Sequence, residues 1–136
     1  MKRTLFYLLL LTIAGTVFGC KKDKIPVSSS LAGTWELSLD VNGMTGHVTH
    51  HKSGNDTLAI FTTDGKYSFY NRNDLFRSGS YTVKQDTYSM DHTVRSRIIF
   101  DNAYDNSHEF FDIQNNLLNM YVDAYDAGGV GYRRIK

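Results

Sequence analysis

The segment that decides the fold is LAGTWELSLDV, residues 31–41. Its apolar and polar residues alternate, so that each parity carries one chemical character. A period of two residues is typical of a β-strand with one buried face. The segment therefore predicts a strand that buries Trp35, Leu37, Leu39 and Val41 and exposes Thr34, Glu36, Ser38 and Asp40.

The same alternation recurs downstream, where turn signals separate the segments. Asp64-Gly65 is the strongest hairpin signal in the chain. Residues 42–55 begin with an Asn42-Gly43 turn but lack alternation, so we expect a long loop or a poorly patterned element there. The run 88–100 indicates one curved strand, or two joined by a bulge near residues 95–97. The other predicted strands span about 57–62, 66–70, 77–84, 109–113, 117–125 and 130–135.

About eight short strands, and no segment with the 3.6-residue apolar stripe of a helix, predict an all-β antiparallel fold. Such a meander must manage its exposed edges, either by closing into a barrel or by forming two packed sheets. Sequential hairpins with one buried face favour the up-and-down barrel.

Composition narrows the class of protein. A chain of 136 residues is long enough for one domain with a single core. Its net charge of +1 is too small for the strongly basic surface that is typical of a nucleic-acid-binding protein. Its 41% hydrophobic residues with 13% aromatics exclude a disordered chain. The single cysteine cannot form a disulfide within the chain.

The first twenty residues have the pattern of a secretory signal. Lys2 and Arg3 precede an apolar stretch that ends at Val17-Phe18-Gly19-Cys20. A membrane-spanning anchor would need about twenty apolar residues, and Gly15 and Thr16 interrupt this stretch. The ending resembles the lipobox of bacterial lipoproteins, which implies that Cys20 becomes the acylated first residue. An ordinary secreted protein with an incidental Cys20 is the alternative.

This resemblance implies how the chain is organised and where it is located. Residues 1–19 are expected to be a lipoprotein signal peptide, 20–30 a lipidated flexible tether, and 31–136 the barrel domain. Acyl chains on Cys20 would hold the domain on a lipid bilayer without a spanning helix. Lys21 in place of an acidic residue favours the outer membrane of the cell envelope, in a leaflet that the sequence leaves open. Removal of the signal changes the net charge from +1 to −1, so attachment is expected to depend on lipid.

Four motifs carry a second resemblance, which spans most of residues 31–136. Residues 31–37 are similar to the Gly-X-Trp opening strand of lipocalin-like domains. Residues 61–67 are similar to their second hairpin, residues 78–83 to their fourth strand, and residues 132–135 to their closing strand. Together with the lipobox, the chain resembles the small lipocalin-like lipoproteins of Bacteroidetes.

The resemblance implies a structural signature at one end of the barrel. Trp35 would pack there, Gly33 would allow close backbone approach, and a basic side chain, Arg134 or Arg133, would lie across the indole. A guanidinium over an indole face contributes roughly 0.5 to 2 kcal/mol. The functional alternative is an arginine that binds an anionic ligand in the cavity.

We find no catalytic constellation in the sequence. No nucleophile elbow, phosphate loop or Cys-X-X-Cys motif occurs, so we expect a protein that is not an enzyme and has no cofactor. His47, His50 and His51 form the most conspicuous cluster, but their spacing does not converge on one face. A solvated loop is therefore expected there, and no metal site.

Aromatic residues are the candidate ligand contacts, because tyrosine joins an apolar ring to a polar tip. The sequence predicts a barrel that binds a small apolar or amphipathic molecule non-covalently. The alternative is a filled barrel that serves as a structural or protein-interaction module of the envelope, with a surface formed by residues 42–55 or by the strand connections and no identifiable protein partner. The candidate ligand-binding residues are Tyr67, Phe69, Tyr81, Phe111, Tyr121 and Tyr132.

Overall fold

A computed structural model describes residues 31–103 and 108–136. The predicted signal peptide, Cys20 and the tether lie outside the described residues. Nine strands occur in the described ranges: β1 (Gly33–Val41), β2 (Val48–His50), β3 (Leu58–Phe61), β4 (Lys66–Asn71), β5 (Asp74–Thr87), β6 (Val94–Phe100), β7 (Glu109–Gln114), β8 (Leu117–Val122) and β9 (Gly129–Arg134).

The strands form a closed antiparallel barrel. From β3 to β9 each strand pairs with the next along the chain, and β1 pairs with both β3 and β9. This circuit of eight strands closes the barrel and confirms the all-β, up-and-down prediction. Closure leaves no long unpaired edge among the described strands, which is how a meander of this size avoids edge-to-edge association.

One position in the barrel wall is shared by two separate strands, β2 and β3. β9 pairs with β1 from Trp35 to Val41, so β2 and β3 must share the opposite edge of β1. β2 pairs near the end of β1 and β3 near its start, with residues 51–57 leaving the sheet between them. Residues 42–55, the segment predicted as a loop or a poorly patterned element, therefore contain strand β2. A gap in the barrel wall results.

Tight turns have the backbone conformation that their residues favour. Both residues between β4 and β5, Arg72 and Asn73, have positive φ, as do Asn115 and Asn116 between β7 and β8. Two central residues with positive φ define the type I′ hairpin, whose twist matches that of the flanking strands. Gly65 (φ +79°) occupies the predicted hairpin between β3 and β4.

Two predictions about strand pattern are wrong. β1 does not keep one buried face to Val41, because its register with β9 shifts between Leu37 and Leu39. Residues 88–100 are not one long strand: β5 extends to Thr87, and 88–93 form a connection before β6. The amide of Tyr88 donates to the carbonyl of Thr93 (2.8 Å), and His92 has φ +57°, which close a turn.

The inner face of the barrel holds the core. Successive strands place apolar side chains of one parity inward, where ring and aliphatic groups contact one another. The alternation therefore predicts the core, apart from the bulged part of β1. The buried core cluster comprises Leu31, Trp35, Ala59, Phe61, Tyr67, Tyr81, Ile98, Phe100, Phe111, Leu118 and Met120.

Candidate functional site

The barrel has two unlike ends, which the up-and-down topology defines. The chain enters at Gly33 and leaves at Arg134 at one end, together with the β3–β4, β5–β6 and β7–β8 connections. We call this the closed end. The β1–β2, β4–β5, β6–β7 and β8–β9 connections lie at the other end, which we call the open end.

Trp35 is buried at the closed end. It is fully buried, and its indole Nε1 donates to the carbonyl of Leu31 at 2.8 Å. The guanidinium of Arg134 lies over the indole ring, 4.1 Å from its centroid, and donates to the carbonyl of Ala32 at 2.9 Å. The polar atoms of these two side chains are thus bound to backbone oxygens, as burial requires.

Gly33 is needed for this packing. A Cβ at this position would lie 2.6 Å from a guanidinium nitrogen of Arg134, and the backbone φ of +152° disfavours other residues. The sequence left Arg133 and Arg134 open as partners for Trp35. The structure places Arg134 there, whereas Arg133 pairs in register with Glu36 on the opposite face. Within β9, Arg134 shares its parity with the inward-facing Val130 and Tyr132, so the alternation of that strand could have separated them.

Glu36 and Arg133 attach the segment between β2 and β3 to the outside of the barrel. Glu36 is buried, and Arg133 Nε lies 3.1 Å from its carboxylate. That carboxylate also accepts the amides of Gly54 (2.7 Å) and Asn55 (3.1 Å), while Arg133 donates to the carbonyl of His51 (2.7 Å). These bonds hold residues 51–55 against the outer face, so the gap in the wall is a built feature.

Aromatic rings fill part of the interior. Phe61, Tyr67, Phe69, Tyr81 and Phe100 contact one another with centroids 4.6 to 6.4 Å apart, mostly edge to face.

The two buried tyrosines of this aromatic group each have a hydroxyl partner. Tyr67 donates to Asp101 at 2.7 Å, and Tyr81 donates to the carbonyl of Thr62 at 2.8 Å. Burial raises the pKa of both phenols, and the Tyr67 hydrogen bond lowers the pKa of the Asp101 carboxyl. This part of the barrel is packed core.

The rest of the interior contains open volume. A cavity of about 420 Å³ at the open end is lined by Phe69, Met120, Val130 and Tyr132, among others. A second, of about 550 Å³, opens through the gap in the wall, and Phe69 and Tyr132 line it too. Both volumes lie in the range of ligand sites. Two side chains border both cavities, and we call the two neighbouring cavities together the Phe69–Tyr132 site.

Polar groups border the site at the open end. Burial, reinforced by the charge of Glu109, raises the pKa of Tyr132 to about 12. Glu109 and Asp40 both line the end cavity, and Asp40 Oδ2 lies 2.7 Å from His51 Nε2. The site therefore combines an apolar wall with acidic groups and three tyrosines.

The predicted ligand residues are divided among different places. Phe69 and Tyr132 border the shared site, while Tyr67 and Tyr81 are in the packed core. Phe111 is buried on the inner face beside a third cavity, of about 570 Å³, near the closed end. Tyr121 pairs in register with Phe110 rather than Phe111, which places it on the outer face, and it also borders the end cavity and the third cavity.

The outer face has a cluster that the sequence did not indicate. Phe110 is fully buried there, with Tyr121 and Tyr88 against it at 6.4 and 5.3 Å, and Arg95 lies over Tyr88 at 4.2 Å. The 88–93 connection thus folds back over the sheet.

Arg97, next to this cluster, is also buried. It donates to Asp86 at 2.9 Å, and Lys84 and Arg97 hold the pKa of the Asp86 carboxyl well below its usual range. Strand parity places Arg97 outward, opposite Phe110 of β7, so the alternation pattern gives no signal for its burial.

The histidine cluster does not converge. His51 pairs with Asp40, whereas His47 and His50 are exposed. Within the described ranges, no three His, Cys, Asp or Glu side chains come together as metal ligands. Nor does any helix in those ranges have the length and apolarity to cross a membrane.

Comparison with protein-family models, with curated proteins and with solved structures gave no match to this chain.

Proposed function

We propose that the chain is a lipid-anchored, lipocalin-like binding protein of the bacterial cell envelope that holds a small apolar or amphipathic molecule in its barrel without catalysis. The Phe69–Tyr132 site carries this proposal. A small eight-stranded barrel either fills its interior with side chains or holds one small ligand. Here the aromatic group fills one part, and open volume remains beside Phe69 and Tyr132.

The walls of the site favour an apolar ligand body. Phe69, Met120 and Val130 are partly buried or buried, and they pack against the core from one side only. A ligand would supply the missing contacts and remove apolar surface from water, at about 25 cal/mol per Å². The tyrosine hydroxyl and the acids at the border would orient its polar end.

A blocked site tests this function. Val130→Trp should fill the end cavity, whereas Val48→Trp adds the same ring to an exposed position of β2 outside the cavities described above. We expect the fluorescent apolar probe N-phenyl-1-naphthylamine to bind the wild type and Val48→Trp with one saturable site, and Val130→Trp at least roughly tenfold more weakly. Equal binding by all three proteins would contradict the proposal.

The proposed anchor is tested separately. Cys20→Ser should prevent acylation, so the protein should lose incorporation of an alkyne analogue of palmitate and should leave the membrane fraction. Retention of both label and membrane association by Cys20→Ser would exclude Cys20 as the lipidated residue. Separation of inner and outer membranes tests the expected outer-membrane location.

One observation favours the alternative of a protein-interaction module. Apolar side chains are exposed around the open end, including Met44 (85%), Phe76 (71%) and Tyr125 (92%). Such a rim is typical of a contact surface. If the alternative holds, Met44→Ser with Tyr125→Ser should abolish a specific crosslinked adduct in intact envelopes while leaving probe binding unchanged.

A further inference from the structure

A bulge in β1 turns the side chain of Asp40 toward the barrel interior. The register of β1 with β9 shifts between Leu37 and Leu39, so that Asp40 pairs with Val130. Side chains of paired residues in antiparallel strands share a face, and Val130 packs against the buried core. Asp40 accordingly lines the end cavity, whereas simple alternation along β1 would have exposed it.

His51 meets this carboxylate from the segment between β2 and β3. Its Nε2 lies 2.7 Å from Asp40 Oδ2, and His51 lines the second cavity, which opens through the gap in the wall and which we call the wall cavity. The backbone of His51 is fixed by two hydrogen bonds: its amide donates to the carbonyl of Ser38 (2.8 Å), and its carbonyl accepts from Arg133 (2.7 Å). The Asp40–His51 pair therefore joins the linings of the two cavities and is positioned by the fold itself.

The hydrogen bond to Asp40 decides what the other ring nitrogen of His51 can do. An ionised carboxylate only accepts hydrogen bonds, so Nε2 must carry the proton that it donates. In a neutral imidazole this leaves Nδ1 as an acceptor. Within residues 31–103 and 108–136, no group donates a hydrogen bond to Nδ1. His51 thus brings an unused acceptor to the wall cavity.

The remaining lining of the wall cavity suits an uncharged ligand with an apolar chain. Leu37, Leu58 and Phe69 provide its apolar surface, and its described lining contains no Asp, Glu or Lys. Arg72, its one arginine, is exposed to solvent, where water and salt screen its charge. An ionised head would therefore lose hydration in this cavity without gaining a buried partner.

We propose that the site binds single-chain amphiphiles with a neutral hydroxyl head, whose O–H donates to Nδ1 of His51 while the chain contacts Leu37, Leu58 and Phe69. This inference rests on the proposed ligand-binding function. Tyr132 lines the same cavity and can donate to the hydroxyl oxygen. An ether oxygen in the same place accepts but cannot donate, so it would leave Nδ1 without a partner.

Two isomeric ligands isolate the donated hydrogen bond. Decan-1-ol and 1-methoxynonane have the same atoms and both can accept from Tyr132, but only the alcohol can donate to His51. Isothermal titration of the purified protein at about pH 8.5, where an ordinary imidazole is neutral, measures both affinities. We expect decan-1-ol to bind at least roughly fivefold more tightly than 1-methoxynonane.

Variants locate the acceptor that causes the preference. His51→Phe keeps an aromatic ring without the acceptor, and it should lower the alcohol-to-ether affinity ratio at least roughly threefold. His50→Phe makes the same change at the exposed neighbouring residue of β2 and should leave the ratio unchanged. Asp40→Asn keeps the His51 ring but no longer fixes the proton on Nε2, because an amide can donate as well as accept, so the ratio should fall here too.

The outcomes separate the two proposals. An unaltered ratio in both His51→Phe and Asp40→Asn, with both isomers still bound, would overturn the hydroxyl inference and leave binding by the barrel intact. A ratio that falls equally in His50→Phe and His51→Phe would also overturn it. If the wild type binds neither isomer, the proposed ligand-binding function fails as well.

Discussion

The closed and open ends of the barrel use the same inner face for different purposes. At the closed end, the indole N–H of Trp35 and the guanidinium of Arg134 both bind backbone carbonyls over a fully buried ring. At the open end, Tyr132 and Glu109 border a cavity. Apolar side chains that border a cavity lack dispersion contacts on that side, so the open end stabilises the fold less than the closed end does. The difference fits a folding role for the first and the proposed binding role for the second.

Trp35→Ala should have the largest effect, because it removes a fully buried indole from the core at the closed end. We expect a loss of about 3 to 5 kcal/mol in the free energy of unfolding, measured by urea denaturation. Trp35→Phe keeps part of the ring packing and should cost less. A loss below about 1 kcal/mol in Trp35→Ala would show that the closed end is not the stability centre.

Glu36→Ala should have the next largest effect. It leaves Arg133 and the amides of Gly54 and Asn55 without their carboxylate partner. We expect a loss of about 2 to 3 kcal/mol, less than for a fully buried pair because Arg133 is a quarter exposed. Hydrogen exchange should show faster opening of residues 51–57. Unchanged exchange there would contradict the attachment of this segment by Glu36.

Arg134→Ala should cost about 1 to 2 kcal/mol, because the guanidinium leaves both the Trp35 ring and the carbonyl of Ala32. Thermal unfolding should show a Tm lower by about 4 to 8 °C per kcal/mol. Arg134→Lys keeps the charge but lacks the planar group, so its Tm should lie between the two. An unchanged Tm in Arg134→Ala would refute the structural role.

Tyr132 makes stability at the open end depend on alkaline pH. The folded-state pKa is about 12, above the usual 10.0, so the folded protein holds the phenol proton more tightly than the unfolded chain does. Its stabilisation is complete below pH 10 and is lost as the pH rises from 10 through 12. Relative to Tyr132→Phe, the wild type should lose about 1 kcal/mol between pH 8 and pH 11. Parallel pH profiles of the two proteins would contradict this.

Alternation along the chain predicted the barrel and most of its core, because burying one face of a strand imposes a period of two. It could not predict the register shift between Leu37 and Leu39, which depends on how β9 closes onto β1. The alternation of residues 88–93 continues that of β6, so the sequence predicted a strand there. The hydrogen bond from the amide of Tyr88 to the carbonyl of Thr93 closes a turn instead.

The candidate site was predictable only in part. Residues 117–122, LLNMYV, place apolar side chains on both parities, so the sequence could not decide which face Tyr121 occupies. Phe69 and Tyr132 border open volume, whereas Tyr67 of similar parity is packed, because the gap between β2 and β3 is local. Cavities arise from the three-dimensional arrangement of strands, which one-dimensional patterns do not encode.

The most direct test of separate roles measures probe affinity and urea stability on the same two variants, Arg134→Ala and Val130→Trp. We expect Arg134→Ala to bind N-phenyl-1-naphthylamine like the wild type while losing stability, and Val130→Trp to lose binding while its stability stays within about 1 kcal/mol of the wild type. The opposite pattern, with binding lost and stability unchanged in Arg134→Ala but binding kept in Val130→Trp, would contradict the assignment of folding to the closed end and binding to the open end.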